Sequence, residues 1–257
     1  MTASDEREIL ASPKTKQELD SEKEVVARAA AGFIKPGMKL GLGSGSTSHH
    51  FIRRLGERVQ RENLEIEAVA SSKDSEALAR EVGIPLTEPR RGLRLDLAVD
   101  GADEIAVDLS LIKGGGGAHL REKVVVAASD YFLVIADSSK LVKQLGSFPV
   151  PLEVVPFALP WVMDRIEAIG GKPVLRLEQP GGRPCLTDQQ NYLLDCHFGI
   201  ISDPVQLAGR LEKIPGIVAH GLFIGYARSA LIAQSTEVLV LRLDGTLKPL
   251  VTLNELP

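Results

Sequence analysis

Cysteine is scarce in this chain of 257 residues: Cys185 and Cys196 are all there is. Two thiols cannot build a disulfide framework, so both are read as reduced, in a cytoplasmic protein. A basic excess is missing too. With 30 Lys and Arg against 34 Asp and Glu, the net charge is −4, which excludes a broad electrostatic footprint for nucleic acid or an anionic membrane surface. No run approaches the roughly 20 apolar residues of a membrane span. The opening MTASDEREILASPKTKQELDSEKE is polar where a secretory leader needs an apolar core. His49 and His50 are adjacent while His119, His197 and His220 are dispersed, with no third ligand at metal spacing, so no metal is expected. What remains is an ordinary soluble chain, 44% hydrophobic, long enough for one large domain or two unequal ones.

Along the first half, helical and strand-like patterns alternate. A helical spacing from Thr15 to Ile34 stops at Lys35-Pro36-Gly37, and Met38 to Leu42 reads as a buried strand. Helices over Ser48–Val59, Asp74–Glu81 and Ala118–Ala128 interleave with strands at Ile66–Ala70, Leu95–Val99 and Phe132–Ile135. That order implies parallel strands with crossover helices. The rhythm breaks at Phe148-Pro149-Val150-Pro151. Beyond it come a strand (Leu152–Val155), a helix around Phe157–Ile169, a strand (Pro173–Leu177), a hairpin candidate either side of Thr187-Asp188-Gln189-Gln190, a helix (Pro204–Lys213) and a short strand (Ile217–Ala219). This α+β grouping of about 70 residues suits a small second domain. The tail reads as an antiparallel pair, Val238–Leu243 and Leu247–Leu253, with Pro249 favouring an edge.

Two loops carry the chemistry. Gly41 to Thr47, GLGSGST, lies between a strand and a helix, with Ser44, Ser46 and Thr47 supplying hydroxyls. Its glycine spacing is neither the dinucleotide fingerprint nor a P-loop. Free N–H groups and hydroxyls at a helix N-terminus suit a phosphate; the alternative is a tight turn with Ser46 or Thr47 as helix cap. The second loop runs DGADEIAVDLSLIKGGGGAHLREK from Asp100 to Lys123. Asp100 and Asp103 follow a strand, at the edge where ligands bind in open α/β sheets, although Asp near Gly is often only a cap. Four glycines after Lys113 point to close approach of backbone and ligand. Lys113 could face a developing oxyanion or simply solvent. Glu122 could act as a general base or pair on the surface with Arg121 or Lys123. Lys140, after another strand end, could touch phosphate or sugar or be a solvated helix-start residue.

These blocks together resemble ribose-5-phosphate isomerase of the A type. The match rests on Gly43-Ser44-Gly45-Ser46-Thr47, Asp100-Gly101-Ala102-Asp103-Glu104, Lys113 to Gly117 with Arg121-Glu122-Lys123, Ile135 to Lys140, and Pro149 to Val154. Similarity in order and spacing runs from about Thr15 onward. The resemblance implies an α/β fold: a Rossmann-like parallel-sheet domain (1–149 and 221–257) with a smaller inserted α+β domain (150–220). It implies interconversion of ribose 5-phosphate and ribulose 5-phosphate through an enediolate, without cofactor, in a homo-oligomer, dimer or tetramer. By position it makes Glu122 the base, Lys113 the oxyanion partner, and Asp100 and Asp103 helpers in ring opening and hydroxyl positioning. Ser44, Gly45, Ser46, Thr47, Gly101, Ala102, Gly114, Gly115, Gly116 and Lys140 would hold the sugar phosphate. Rival readings are a non-catalytic sugar-phosphate sensor, and a deaminase or acyl-CoA transferase of similar architecture. One departure stands out: Asp188-Gln189-Gln190-Asn191 replaces the family's Asp-Asn-Gly-Asn, losing a turn glycine and putting that turn's geometry, not the catalysis, at issue.

Overall fold

The structure, a computed structural model, describes residues 14–252; the polar opening segment and the last five residues lie outside that range. Helix α1 (Lys16–Gly32) starts where expected because Thr15 accepts from the Glu18 N–H while Glu18 reaches back to the Thr15 N–H. Then β1 (Lys39–Leu42), α2 (Ser46–Glu62), β2 (Glu67–Ala70), α3 (Lys73–Glu81) and β3 (Leu95–Asp100) alternate as the pattern predicts. β4 (Glu104–Ala106), β5 (Leu111–Ile112), α4 (His119–Ala127), β6 (Ser129–Asp137) and β7 (Leu141–Val142) follow. After the proline-rich break come β8 (Val150–Val154), α5 (Leu159–Ala168), β9 (Lys172–Leu175), β10 (Tyr192–His197), α6 (Pro204–Leu211) and β11 (Ile217–His220). β12 (Leu222–Phe223), β13 (Ser229–Gln234), β14 (Glu237–Arg242) and β15 (Leu247–Pro249) complete the chain.

The principal sheet has the order β15-β14-β13-β6-β3-β1-β2. From β13 to β2 its strands run parallel, and β14 and β15 add an antiparallel edge. Pro249 lies on the outermost strand, where its missing N–H costs no ladder bond. Alternate side chains feed two cores. Leu97, Val99, Leu133, Ile135 and Leu231 pack under α1 and α2, while Ala98, Phe132, Val134, Ala230 and Ile232 pack under α4. Gly41 opens the room for α4: a Cβ there would sit 2.5 Å from Val125 Cγ1. The helix that carries Glu122 can therefore settle directly onto the sheet.

A four-stranded antiparallel sheet, β11-β8-β10-β9, packs on a third core of Val150, Leu152, Val154, Val162, Ile166, Leu194 and Leu211, to which Ala106, Ile112, Leu145 and Leu222 also contribute. A third small sheet, β12-β5-β4-β7, comes from segments the sequence reading leaves as loops. β13 is likewise not anticipated, because SALIAQ is a short, continuously buried run whose period does not distinguish strand from helix. The segment predicted as a helix from Phe157 starts with a 3-10 turn, and the α-helix begins at Leu159. Cys185 and Cys196 are free thiols. Among the described residues no helix is long and apolar enough to cross a membrane.

Candidate active site

The chain leaves β1 for β2 on one side and later enters β3 on the other, so the strand order reverses between β1 and β3. At such a reversal the loops beyond the carboxyl ends part and leave a crevice. The carboxyl ends of β1, β3 and β6 deliver the 43–47 loop, the aspartate pair and the 138–140 turn to one cleft of about 550 Å³, counting its open mouth.

In the first loop the helix cap is Gly45, at φ +85°, and no side chain bonds to the first-turn N–H groups. The alternative of Ser46 or Thr47 as cap is thereby corrected: glycine takes the left-handed turn and leaves both hydroxyls and several N–H donors on the cleft wall. Ser44 Oγ lies 2.8 Å from Ser71 Oγ. Gly43 cannot carry a side chain, since a Cβ would fall 2.0 Å from Asp100 Oδ1.

Lys113 is 3% exposed and anchors the charged centre. β5 ends at its backbone, whose N–H donates to the Gly221 carbonyl at 2.8 Å. Its Nζ donates to the Gly101 carbonyl at 2.6 Å and stands 2.9 Å from Asp100 Oδ2 and 3.2 Å from Glu122 Oε2. Burial pushes this ammonium down, but the Asp100 and Glu122 carboxylates outweigh it and hold its pKa above the ordinary lysine value. Glu122, 4% exposed, is raised to about 7, chiefly by burial, with Lys113 pulling the other way. Its neighbours do not pair with it on the surface. Arg121 meets Asp188 at 3.1 Å, and Lys123 donates to the His220 and Leu222 carbonyls at 2.7 and 3.0 Å.

The glycine run is shaped by what surrounds it. Gly114 sits at φ +108°, and a Cβ would come 2.8 Å from His119 Nδ1; at Gly115 it would come 2.6 Å from Asp103 Oδ1. Asp103 Oδ2 accepts from the Gly115 N–H at 2.8 Å. Lys140 ends the turn after β6, which is pinned to α1 because Glu22 accepts from the Ser138 N–H at 3.0 Å.

Ser44, Gly45, Ser46, Thr47, Gly101, Ala102, Asp103, Lys113, Gly114, Gly115, Gly116, Glu122 and Lys140 all line this cleft. Asp100 does not; it is 2% exposed and lies behind Lys113. Glu104 of the same block accepts from the Gly146 and Phe148 N–H groups and serves the framework. Sequence reasoning does not single out Lys23, which lines the cleft from α1, because one polar residue of an amphipathic helix looks like surface. It also misses Ser48 and Gly221, whose partners are distant in sequence.

Residues 67–237 match the family model for ribose 5-phosphate isomerase A (phosphoriboisomerase A). The chain belongs to this family. It is 49% identical over 228 residues to the ribose-5-phosphate isomerase A of Parvibaculum lavamentivorans, covering 86% of this chain and 98% of that relative. To the Methanosarcina acetivorans ribose-5-phosphate isomerase A it is 49% identical over 202 residues, covering 79% of this chain and 86% of the relative. The solved ribose 5-phosphate isomerase A of Methanocaldococcus jannaschii superposes with a TM-score of 0.82 at 39% identity, over 86% of this chain and 98% of that one. A D-ribose-5-phosphate isomerase in complex with phospho-erythronic acid gives 0.84 at 34% identity, over 87% and 99%.

Proposed function

We propose that Glu122 is the base with which this ribose-5-phosphate isomerase A family member interconverts ribose 5-phosphate and ribulose 5-phosphate. One observation carries the reading: a buried carboxylate and a buried ammonium, 3.2 Å apart, share the wall of a cleft whose other end is an uncapped helix N-terminus. The open-chain aldose has an acidic C2–H beside its C1 carbonyl. Glu122 takes that proton, the electron pair forms C1=C2, and the charge on the enediolate oxygens faces the Lys113 ammonium. Glu122 returns the proton to C1 as the O2 proton is given up and O1 gains one, leaving the ketose. No electrons leave the sugar. The phosphate is assigned to Ser44–Thr47 with Lys23 and Lys140, and the sugar to Gly101, Ala102 and Gly114–Gly116. Asp103 assists ring opening and positions hydroxyls, while Asp100 acts from behind by holding the ammonium.

Glu122→Gln is expected to keep KM for ribose 5-phosphate while kcat falls roughly 10²–10⁴-fold, read as ketose formation. Near-normal turnover would remove Glu122 from the role. A homo-oligomer is supported by exposed Phe157 and Trp161, whose rings lie 5.5 Å apart, and light scattering tests it. The two free thiols support a cytoplasmic setting. Residues 150–220 are read as an inserted α+β domain, supported by the antiparallel sheet β11-β8-β10-β9 that they form among themselves.

A further inference from the structure

We propose that Ser48 is a positioning residue for the isomerisation, acting through Asp100 on Lys113. Ser48 is fully buried in the first turn of α2 and does not line the cleft. A buried helical serine commonly bonds a carbonyl of its own helix. This one instead donates from Oγ to Asp100 Oδ1 at 2.9 Å, fifty-two residues away, and accepts from the Gly101 N–H at 3.2 Å.

The two oxygens of Asp100 thereby have separate duties. Oδ1 receives three donors: the Ser44 N–H at 2.9 Å, the Ser48 hydroxyl at 2.9 Å and the Gly101 N–H at 2.7 Å. Oδ2 is left for Lys113 at 2.9 Å. Two of those donors are loop backbone, whereas Ser48 stands on a seventeen-residue helix, so it ties the carboxylate to a rigid element. On its flank the carboxylate meets the bare α-carbon of Gly43, where no side chain braces it. Without the hydroxyl, the plane of Asp100 loosens. The ammonium, held between two carboxylates, then drifts toward Glu122, its other anionic neighbour. A displacement well under 1 Å between an oxyanion partner and the base is enough to slow a proton transfer. Substrate affinity should hardly change, because Ser48 has no face on the cleft.

The test is steady-state kinetics of Ser48→Ala, Ser48→Cys, Asp100→Asn and the Ser48→Ala/Asp100→Asn double variant, each shown folded by its melting curve. Ser48→Ala should lower kcat roughly tenfold with KM within about twofold. Ser48→Cys, a weaker donor of similar size, should fall between. In the Asp100→Asn background, where an amide no longer holds the ammonium, Ser48→Ala should add less than about a twofold further loss. Unchanged kcat, a KM rise that matches the fall in kcat, or fully additive losses would each overturn the proposal. It rests on the role given to Lys113, and Lys113→Ala separates the two failures. If that variant keeps its kcat, the Lys113 reading falls and takes Ser48 with it. If Lys113→Ala is crippled while Ser48→Ala is normal, only the Ser48 inference is lost.

Discussion

At the level of single residues, the cleft holds an acid that is hard to ionise beside a cation that is hard to neutralise. Removing Glu122 from water favours its neutral form more than Lys113 favours its charged form, which brings it to about 7. A base works only when ionised. With Glu122 as the proposed base, kcat/KM should therefore rise with pH through a midpoint near 7 and level off above it, while Lys113 stays protonated throughout. Ionisation of the free sugar phosphate, near pH 6 for a phosphate monoester, enters the same profile, so it is titrated separately and only the remaining step is compared with about 7. A midpoint at or below about 5, close to a free carboxyl, would show that Glu122 is not the group that titrates. Much of this centre could be picked out as candidates from the chain: Lys113, Asp103 and the serine loop stand beside or near glycine, whereas the helix position of Glu122 leaves base and surface pairing open without the family resemblance. Ser48 and Gly221 could not, because their partners lie 52 and 108 positions away, and Lys23 could not, because one lysine of an amphipathic helix looks like surface. Asp100 was legible as part of the site but not as standing behind Lys113, a distinction of depth that a linear pattern does not carry.

Among elements, the strands of the parallel sheet were legible wherever a helix preceded them, since the change of period marks where the strand begins. The two-residue and three-residue strands of the small β12-β5-β4-β7 sheet were not, being too short to show a period at all. The hairpin at 187–190 shows another kind of limit. The family's turn glycine is replaced by Gln190, yet the turn closes: the Gln190 N–H donates to the Thr187 carbonyl and the Thr187 N–H to Asn191, both at 2.9 Å. Gln190 achieves this at φ +64°, a left-handed conformation that disfavours a side chain by roughly 1–2 kcal/mol. The turn is held open to use by Asp188, whose Oδ2 accepts from the Lys73 N–H at 2.9 Å and from Arg121, the residue before Glu122. Gln190→Gly should relieve the strain, less the extra chain entropy of glycine, for a net gain of about 0.5–1 kcal/mol. Urea unfolding measures it. A loss of stability would mean that the Gln190 side chain contributes more than its backbone conformation costs.

For the molecule as a whole, α4 is the seam: it packs on β6 of the parallel sheet and on β8 and β11 of the antiparallel one. Two histidines lie in that seam, His119 opening α4 and His220 closing β11, at 0% and 4% exposure. His119 Nε2 is 3.4 Å from the Ala219 carbonyl, and His220 Nδ1 accepts from the Leu222 N–H at 3.2 Å. Burial first, and then the nearby Lys123 cation, lower both to about 3. In the unfolded chain each would titrate near 6.5, so the unfolded state binds the extra protons as pH falls. The depressed values therefore mean that stability is fully present above about pH 6.5 and drains away between there and about 3, by up to roughly 1.4 kcal/mol per pH unit for each ring. Carboxylates contribute to acid unfolding as well, so the decisive measurement is a comparison. Urea unfolding of the parent chain and of a His119→Gln/His220→Gln variant, at a series of pH values from 7.5 to 4, should give a visibly shallower pH dependence for the variant, whatever its stability at neutral pH. Equal slopes would show that these rings accept protons in the folded state, and that the seam between the sheets is wetter than its burial suggests.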